Sequence, residues 1–250
     1  MHRLLVSTET LTHDSVSLPR DAARHLKVVR PRPGELIELF DGAGRSRVYR
    51  CGVSAAGPLS AAGEAKAFSR PAVRLELFAC ITKGSRWDWT VEKATELGVA
   101  RIVPVLSDRC IVRIPREERP AKRDRWRRIA EDAARQSDAK WIPEIAEATG
   151  FDEALAIAGG CACIAGALTS PPPPPLLLVA GRMLDAVPAG GSIALFVGPE
   201  GDFTQDELAA LLKVAAPASF GPSILRAETA AAFGLSVLAA LLHGRGDGLA

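Results

Sequence analysis

The chain has 250 residues, of which 48% are hydrophobic and 24% are charged, as is usual for one large domain or two modest ones with a buried core. The first residues lack the apolar stretch of a signal peptide, and no uninterrupted run predicts a transmembrane helix. Five cysteines, an odd number set mostly in strand-like runs, predict reduced thiols in a cytoplasmic protein and no structural metal site.

The formal net charge of +2 hides an uneven distribution along the chain. The first 143 residues carry 27 Lys and Arg against 18 Asp and Glu, whereas the rest carry 4 against 11. The densest basic stretch, Arg101 to Arg128, holds ten cations against four anions. A field of this kind fits a polyphosphate partner, and planar Arg groups pair well with phosphates. A solvated helix face is the alternative interpretation.

The first 70 residues predict a small β-rich module, because short apolar runs alternate with Gly and Pro turn signals. A change of pattern near Pro71 divides the chain into predicted domains 1–70 and 72–250. The predicted elements of the first domain are a helix over Arg24–Arg30, strands over Glu35–Phe40 and Arg47–Val53, and a loop over Ala55–Gly63.

From Ala72 onward, strands alternate with helices, a pattern that predicts an α/β fold with a parallel sheet. Five consecutive prolines, Pro171–Pro175, predict a stiff extended loop. The predicted strands are Val73–Ile81, Arg101–Leu106, Cys161–Leu168, Ile193–Val197 and a short one near Ala218–Phe220. The predicted helices are Arg86–Leu97 (ended by Gly98), Glu118–Gln136, Phe151–Ala158, Leu176–Leu184 and Thr229–His243.

The segment Ile193–Glu207 predicts a buried strand, a sharp Gly-Pro turn and the capped start of a helix. Thr204 and Glu207 have the spacing of a capping box, which places the helix start between them. A turn of this kind at the end of a parallel strand offers bare backbone groups to a ligand. The alternative is a tight connection that binds nothing.

Three segments together resemble one known family. They are Thr82–Val99 (TKGSRWDWTVEKATELGV), Leu195–Phe203 (LFVGPEGDF) and Phe220–Ala231 (FGPSILRAETAA). The combination resembles the ribosomal RNA small subunit methyltransferase E family, which methylates N3 of a uridine in 16S rRNA and belongs to the SPOUT superfamily. His25, Arg30, Gly34 and the Phe40–Gly42 turn match the PUA-like domain of that family.

The resemblance implies an α/β fold: a C-terminal SPOUT-type parallel sheet with a trefoil knot, preceded by a PUA-like β-barrel that binds RNA. It also implies S-adenosyl-L-methionine as cofactor and 16S rRNA of the small ribosomal subunit as partner. The implied assembly is a homodimer, with neither metal nor membrane, in the cytoplasm. The end of the Cys161–Leu168 strand is expected to add a third loop to the cofactor site. The implied cofactor-binding residues are Leu195, Phe196, Val197, Gly198, Pro199, Glu200, Gly201, Phe220, Gly221, Pro222, Ser223, Ile224 and Leu225.

Arg226 is the first catalytic candidate, because the third motif places it beside a cofactor loop and a cation there would stabilise charge on the uracil oxygens. An ion pair with Glu200 or Glu228 is the alternative role for Arg226. Glu228 is the second candidate, expected to orient Arg226 or to cap the final helix. The resemblance offers no general base.

Five residues are predicted to contact RNA. Trp87 and Trp89 add candidate stacking surfaces, although core packing is expected for at least one of them. Lys93 and Glu96 are expected to pair within their helix. The predicted RNA-binding residues are His25, Arg30, Lys83, Arg86 and Arg109.

The sequence departs from the family pattern at two places. Asp202 stands where the family usually has a second glycine, and the usual Arg after Gln136-Ser137 is missing, so that Lys140 is the nearest cation. Two other functions remain open: a different SPOUT enzyme such as a ribose 2′-O-methyltransferase, and a non-catalytic RNA-binding or assembly protein.

Overall fold

The computed structural model describes residues 1–52 and 57–245. The chain forms two compact units. The first unit is Met1–Arg70 together with Glu131–Ile142, and the second is Pro71–Ala130 together with the segment from Pro143 onward. A segment from the middle of the chain therefore belongs to the N-terminal unit, which the pattern of the sequence did not predict.

The described residues of the first unit contain six strands and one α-helix: β1 (His2–Leu5), β2 (Ser15–Val16), α1 (Arg20–Val29), β3 (Leu36–Phe40), β4 (Arg45–Arg50), β5 (Leu59–Ala61) and β6 (Lys66–Ala67). The strands form one sheet in the order β1-β3-β4-β5-β2, and β6 pairs with β4. The β1–β3 pair is parallel and the others are antiparallel. Since β1 and β2 are the two ends of this order and do not pair among the described residues, the unit is a mixed sheet, and the predicted β-barrel is wrong.

Two predictions for the first unit need correction. The helix begins at Arg20 and not at Arg24, because Pro19 precedes its first turn and fixes the backbone there. The predicted loop contains β5, whose residues Ser60 and Ala61 pair with β4. Val53, the end of a predicted strand, and Ala55, the start of that loop, lie outside the described residues.

The segment Glu131–Ile142 is bonded to the sheet of the first unit at several points. Arg3 donates from Nη1 to the carbonyl oxygen of Ala134 at 2.8 Å and forms an ion pair with buried Glu38 at 2.8 Å. The backbone N–H of Ile142 donates to the carbonyl oxygen of Gly42 at 2.9 Å. These bonds explain why the segment belongs to this unit.

The described residues of the second unit, which end at residue 245, form seven strands whose pairs are all parallel, which confirms the predicted α/β fold. Its elements are β7 (Arg74–Cys80), α2 (Ser85–Glu96), β8 (Arg101–Leu106), α3 (Arg119–Gln136, shared with the first unit), β9 (Glu144–Ile145), β10 (Thr149–Gly150), α4 (Phe151–Ile157), β11 (Ala162–Gly166), α5 (Leu176–Ala186), β12 (Ser192–Val197), α6 (Gln205–Leu211), β13 (Ala215–Ala218) and α7 (Ala227–Gly244). The order is β10-β8-β7-β12-β11-β13, and β9 pairs with β8.

Strand β12 lies inside the sheet with both faces covered, as its continuous apolar run predicts. Leu195 and Phe196 are fully buried, and the Phe196 ring stacks on Phe78 with a centroid distance of 4.7 Å. Helix α7 packs against α2, α5, β7 and β12. By length and composition alone α7 is apolar enough to cross a membrane, a test that the core helix of a soluble protein also passes.

Strand β13 covers Ala215–Ala218 and ends before Phe220, where the sequence placed a strand. Its position is set by pairing with β11, in which Gly166 faces Ala218. The proline segment is bonded to the residue that follows β13. The N–H of Ser219 donates to the carbonyl oxygen of Pro174 at 2.9 Å. The predicted glycine after α2 is confirmed by the positive φ of +76° at Gly98.

Candidate functional site

The loops after β11, β12 and β13 leave the sheet at the same end, where the carboxyl ends of these parallel strands lie. Strands β12 and β13 both pair in parallel with β11, so their carboxyl ends flank the end of β11. Two strands that flank a third lie roughly 10 Å apart. The Pro199 and Pro222 bends therefore begin at the same end of the sheet, the end at which open α/β sheets bind ligands.

The turn after β12 is held by bonds within itself. The N–H of Asp202 donates to the carbonyl oxygen of Pro199 at 2.9 Å, and the N–H of Phe203 donates to Oδ1 of Asp202 at 2.8 Å. A β-carbon at Gly198 would lie 3.2 Å from both Asp202 Oδ1 and the Phe203 ring. The close approach leaves little room for any other residue at position 198.

Asp202 has a left-handed backbone, with φ at 58°. Glycine adopts this conformation freely, and Asp is among the few other residues that tolerate it. The position therefore accounts for both the family's usual glycine and the Asp of this chain.

The predicted capping box begins α6. Thr204 Oγ1 accepts from the N–H of Glu207 at 3.2 Å, and Glu207 Oε2 accepts from the N–H of Thr204 at 2.9 Å. This reciprocal pair fixes the direction in which the chain leaves the turn.

The bend after β13 begins with a partly exposed aromatic contact and continues as an exposed loop. The ring of Phe220 lies 2.8 Å from where a β-carbon at Gly166 would stand, and its centroid is 5.9 Å from that of Phe233. Gly221 follows with φ at +125°. The next three residues are exposed, and Ile224 is 81% exposed.

The apolar surface at this end of the sheet differs from the walls that the sequence predicted. Leu195 and Phe196 are 0% exposed and belong to the core, so neither residue offers surface to a ligand in this structure. The exposed apolar side chains are Ile224 and, after β11, Leu168, which is 61% exposed. The sequence offered one indication that Leu168 belongs to the site: it lies at the end of the predicted Cys161–Leu168 strand.

Arg226 is the N-cap residue of α7 and is exposed. The predicted alternative, an ion pair with Glu200 or Glu228, is absent among the described residues, since Glu200 pairs with Arg86. Glu228 lies in the first turn of α7, and its Oε2 atom is buried without a hydrogen-bond partner in the described part of the chain. Glu228 therefore neither caps the helix nor holds Arg226 in this structure.

The predicted RNA-binding cations fall into two groups. Lys83, Arg30 and Arg109 are exposed. Arg86 and Arg109 bind the turn after β12, Arg86 through Glu200 and Arg109 through two backbone carbonyl groups. His25 lies 3.2 Å from Arg135, measured from Nδ1 to Nη1, in the first unit. Burial and the positive charge of Arg135 lower the pKa of His25, which favours the neutral ring.

The two tryptophans of α2 have different surroundings. Trp87 is 2% exposed and packs edge-on against Trp126 at 5.6 Å, whereas Trp89 is 40% exposed. This confirms core packing for one of them. Lys93 and Glu96 form the predicted intrahelical pair at 2.8 Å.

The cysteines are free thiols. Burial raises the pKa of Cys161 and of Cys163 to about 11, so both are protonated at neutral pH. Residues 1–52 and 57–245 contain no group of three or more His, Cys, Asp or Glu side chains that would hold a metal ion.

Comparison with known proteins defines the class first. The family model described as "RNA methyltransferase domain" matches residues 69–239, which include β7 to β13 and the turns after β12 and β13. The second unit is thus an RNA methyltransferase domain.

The relatives define the family within this class. A ribosomal RNA small subunit methyltransferase E from Mycobacterium bovis is 32% identical over 232 residues, 88% of this chain and 84% of the relative. One from Synechocystis is 29% identical, over 97% of this chain and 78% of the relative. A crystal structure of this enzyme from Neisseria gonorrhoeae bound to S-adenosyl methionine has a TM-score of 0.81 and 28% identity, and the match covers 96% of this chain and 98% of that one. The chain belongs to the ribosomal RNA small subunit methyltransferase E family.

Proposed function

We propose that this protein transfers a methyl group from S-adenosyl-L-methionine to N3 of a uridine in 16S rRNA of the small ribosomal subunit. One observation supports this most: the bends at Pro199 and Pro222 begin at the same end of a parallel sheet, on either side of β11. The relative from Neisseria gonorrhoeae, which has the same fold, binds S-adenosyl methionine.

The residues at this end of the sheet suit the proposed cofactor. Adenine has apolar faces and a rim of donors and acceptors, and such ligands take apolar side chains together with a few polar contacts. Leu168 and Ile224 supply exposed apolar surface, while the backbone of Gly198–Gly201 and Gly221–Leu225 supplies N–H and C=O groups. Bound there, S-adenosyl-L-methionine supplies an electrophilic methyl group.

The chain's contribution to the chemistry is to position the uracil and to stabilise its charge. The N3 nitrogen of uracil becomes a nucleophile when it loses its proton, and negative charge then spreads to O2 and O4. In this proposal Arg226 faces that charge, aided by the positive end of the α7 dipole. Glu228 is the second catalytic candidate. Its Oε2 atom is buried without a hydrogen-bond partner in the described part of the chain, and a ligand that donates a hydrogen bond would satisfy it.

RNA contact is proposed for the first unit and for the basic residues of the second. Arg30 and Lys83 are exposed and suited to phosphates. Trp89 offers an exposed ring for stacking on a base. His25, Arg86 and Arg109 already have protein partners, so we expect each of them to contribute less to RNA binding than Arg30 and Lys83.

The remaining parts of the proposal concern knot, assembly and location. We propose that the second unit contains the trefoil knot of the SPOUT superfamily and that two copies form a homodimer in the cytoplasm, without a metal ion. Apolar side chains on α5 and α7, which pack together, suit a second copy: Leu177 is 58%, Leu178 53% and Phe233 41% exposed. Light scattering on the purified protein would give twice the chain mass, and a monomer would contradict the dimer.

Mass mapping of 16S rRNA from cells that lack this protein tests the activity. We expect the loss of one N3-methyluridine and its return when the purified protein and S-adenosyl-L-methionine are added. Loss of a ribose methyl group would support the 2′-O-methyltransferase alternative. An unchanged 16S rRNA, together with no heat of binding for the cofactor, would favour a non-catalytic RNA-binding protein.

A further inference from the structure

The side chain of Arg109, in the loop after β8, binds the turn after β12. Its Nη1 atom donates hydrogen bonds to the carbonyl oxygen of Gly201 at 2.9 Å and to that of Phe203 at 3.3 Å. Its Cβ and Cδ atoms lie 3.7 Å from where a β-carbon at Gly201 would stand. A charged donor shared by two carbonyl groups fixes the orientation of both peptide planes.

The same loop reaches this segment a second time through Asp108. The N–H of Asp108 donates to Glu207 Oε1 at 2.9 Å, while the other carboxylate oxygen of Glu207 caps α6 at Thr204. Glu207 is 8% exposed, so water competes little for these bonds. Two neighbouring residues of the β8 loop therefore hold the two sides of the segment 201–207.

The β8 loop is itself fixed by contacts that do not involve the Arg109 side chain. Arg113 donates to the carbonyl oxygens of Ser107 at 2.9 Å and of Asp108 at 2.7 Å. The N–H of Cys110 donates to the carbonyl oxygen of Ser107 at 3.1 Å. Truncation of Arg109 therefore removes the bonds to the turn and leaves the support of the loop in place.

The backbone conformation of the turn explains why the bonds from Arg109 would stabilise it. Asp202, between the two carbonyl groups that Arg109 binds, has the left-handed conformation that residues with a β-carbon disfavour. Relaxation of Asp202 would reorient the peptide plane of Gly201, and with it the backbone that faces the proposed cofactor site. We propose that Arg109 is a positioning residue, which keeps the Gly198–Phe203 turn in its cofactor-binding conformation; this inference rests on the proposed function.

Titration calorimetry with S-adenosyl-L-methionine and filter binding with 16S rRNA test the inference on wild type, Arg109→Ala, Arg109→Gln and Arg109→Lys. We expect Arg109→Ala to weaken cofactor binding about tenfold, as for the loss of one hydrogen bond to a charged group. The KM for the cofactor rises by a similar factor, while RNA affinity changes less than about twofold. Lys, which keeps a charged donor, restores part of the cofactor affinity.

Arg116→Ala is the matched control. Arg116 is exposed in the same basic stretch, and its side chain has no hydrogen bond or ion pair to another described residue. We expect this variant to weaken RNA binding and to leave cofactor affinity unchanged.

Each outcome decides between the two roles of Arg109. Unchanged cofactor affinity with weaker RNA binding in Arg109→Ala would overturn the inference and support an RNA contact, while the proposed function would stand. A wild-type protein that binds no S-adenosyl-L-methionine would overturn both. If Arg109→Ala does not fold, Arg109→Gln, which keeps a neutral donor, gives the same comparison.

Discussion

Phe220 and Gly234 are in contact across the junction between the β13 bend and helix α7. A β-carbon at Gly234 would lie 3.3 Å from Cζ of Phe220 and 2.6 Å from Cδ2 of Leu195. The missing side chain at position 234 is what lets α7 lie against β12 and lets the Phe220 ring reach the end of β11.

We expect Gly234→Ala to destabilise the protein by about 1–3 kcal/mol, because Leu195 is fully buried and has no space into which to move. Gly181→Ala in α5 is the control, since nothing lies within 4 Å of its added carbon. That variant is expected to gain up to about 1 kcal/mol from helix propensity. Chemical denaturation measures both, and equal midpoints for the two variants would contradict the packing argument.

Gly198→Ala is expected to weaken the binding of S-adenosyl-L-methionine at least about tenfold, because the added carbon presses on Asp202 and Phe203 and moves the turn. Gly198→Val should abolish binding, with the fold retained. Calorimetry gives the affinity and circular dichroism reports the fold. Full affinity in a folded Gly198→Val protein would remove this turn from the site.

Substitution at Asp202 separates backbone conformation from side-chain chemistry. Asp202→Val forces a β-branched residue into the left-handed region and is expected to cost about 1–2 kcal/mol and to weaken cofactor binding. Asp202→Gly loses the bond from the Phe203 N–H but adopts the left-handed conformation without strain. We therefore expect its affinity for the cofactor to stay near that of the wild type. A Gly variant as weak as the Val variant would point to the carboxylate instead.

Arg226→Gln is expected to lower kcat about 10²-fold, as for the loss of one group that stabilises an oxyanion, with little change in cofactor affinity. Arg226→Lys should recover part of the rate because the positive charge is kept. Single-turnover methylation of 16S rRNA separates these effects from binding. Arg182→Gln, an exposed position on α5, is the control. A normal rate in Arg226→Gln would exclude this residue from the chemistry.

His25 makes the stability of the protein depend on pH. Burial and Arg135 lower its pKa in the folded protein below the unfolded value of 6.5. Its contribution is therefore complete above about pH 6.5 and is lost as the pH falls below that value, because the unfolded chain takes up the proton more readily. We expect His25→Gln to reduce the fall in thermal midpoint between pH 7 and pH 5. His243→Gln is the control, and we expect it to leave the fall in thermal midpoint unchanged. A fall in His25→Gln as large as in the wild type would contradict the prediction.

Local patterns along the chain predicted most elements of the second unit. The apolar run at β12, the Thr204–Glu207 spacing and the glycine after α2 each predicted an element that the structure contains. Those three features depend on neighbours in the chain, so a single sequence carries them. The resemblance to a known family implies that the bends at Pro199 and Pro222 belong to one site, and parallel pairing with β11 places the start of both bends at the same end of the sheet.

Other features depend on residues distant in the chain, and the sequence misplaced them. The segment Glu131–Ile142 joins the first unit through bonds such as that from Arg3 to Ala134, 131 residues apart. Strand β5 is formed by pairing and not by its own propensity, and the sheet that contains it is open where the sequence predicted a barrel.

The arginines show most directly where the sequence stops being informative. Residue type and spacing determined that this chain has a parallel sheet, a Gly-Pro turn at the end of β12 and a basic first half. Which arginines are available to RNA was decided only by the tertiary structure, which brings Arg109 to the carbonyl groups of Gly201 and Phe203 and Arg86 to Glu200. A guanidinium group donates hydrogen bonds to phosphate oxygens and to carbonyl oxygens alike, so its neighbours in space determine its role.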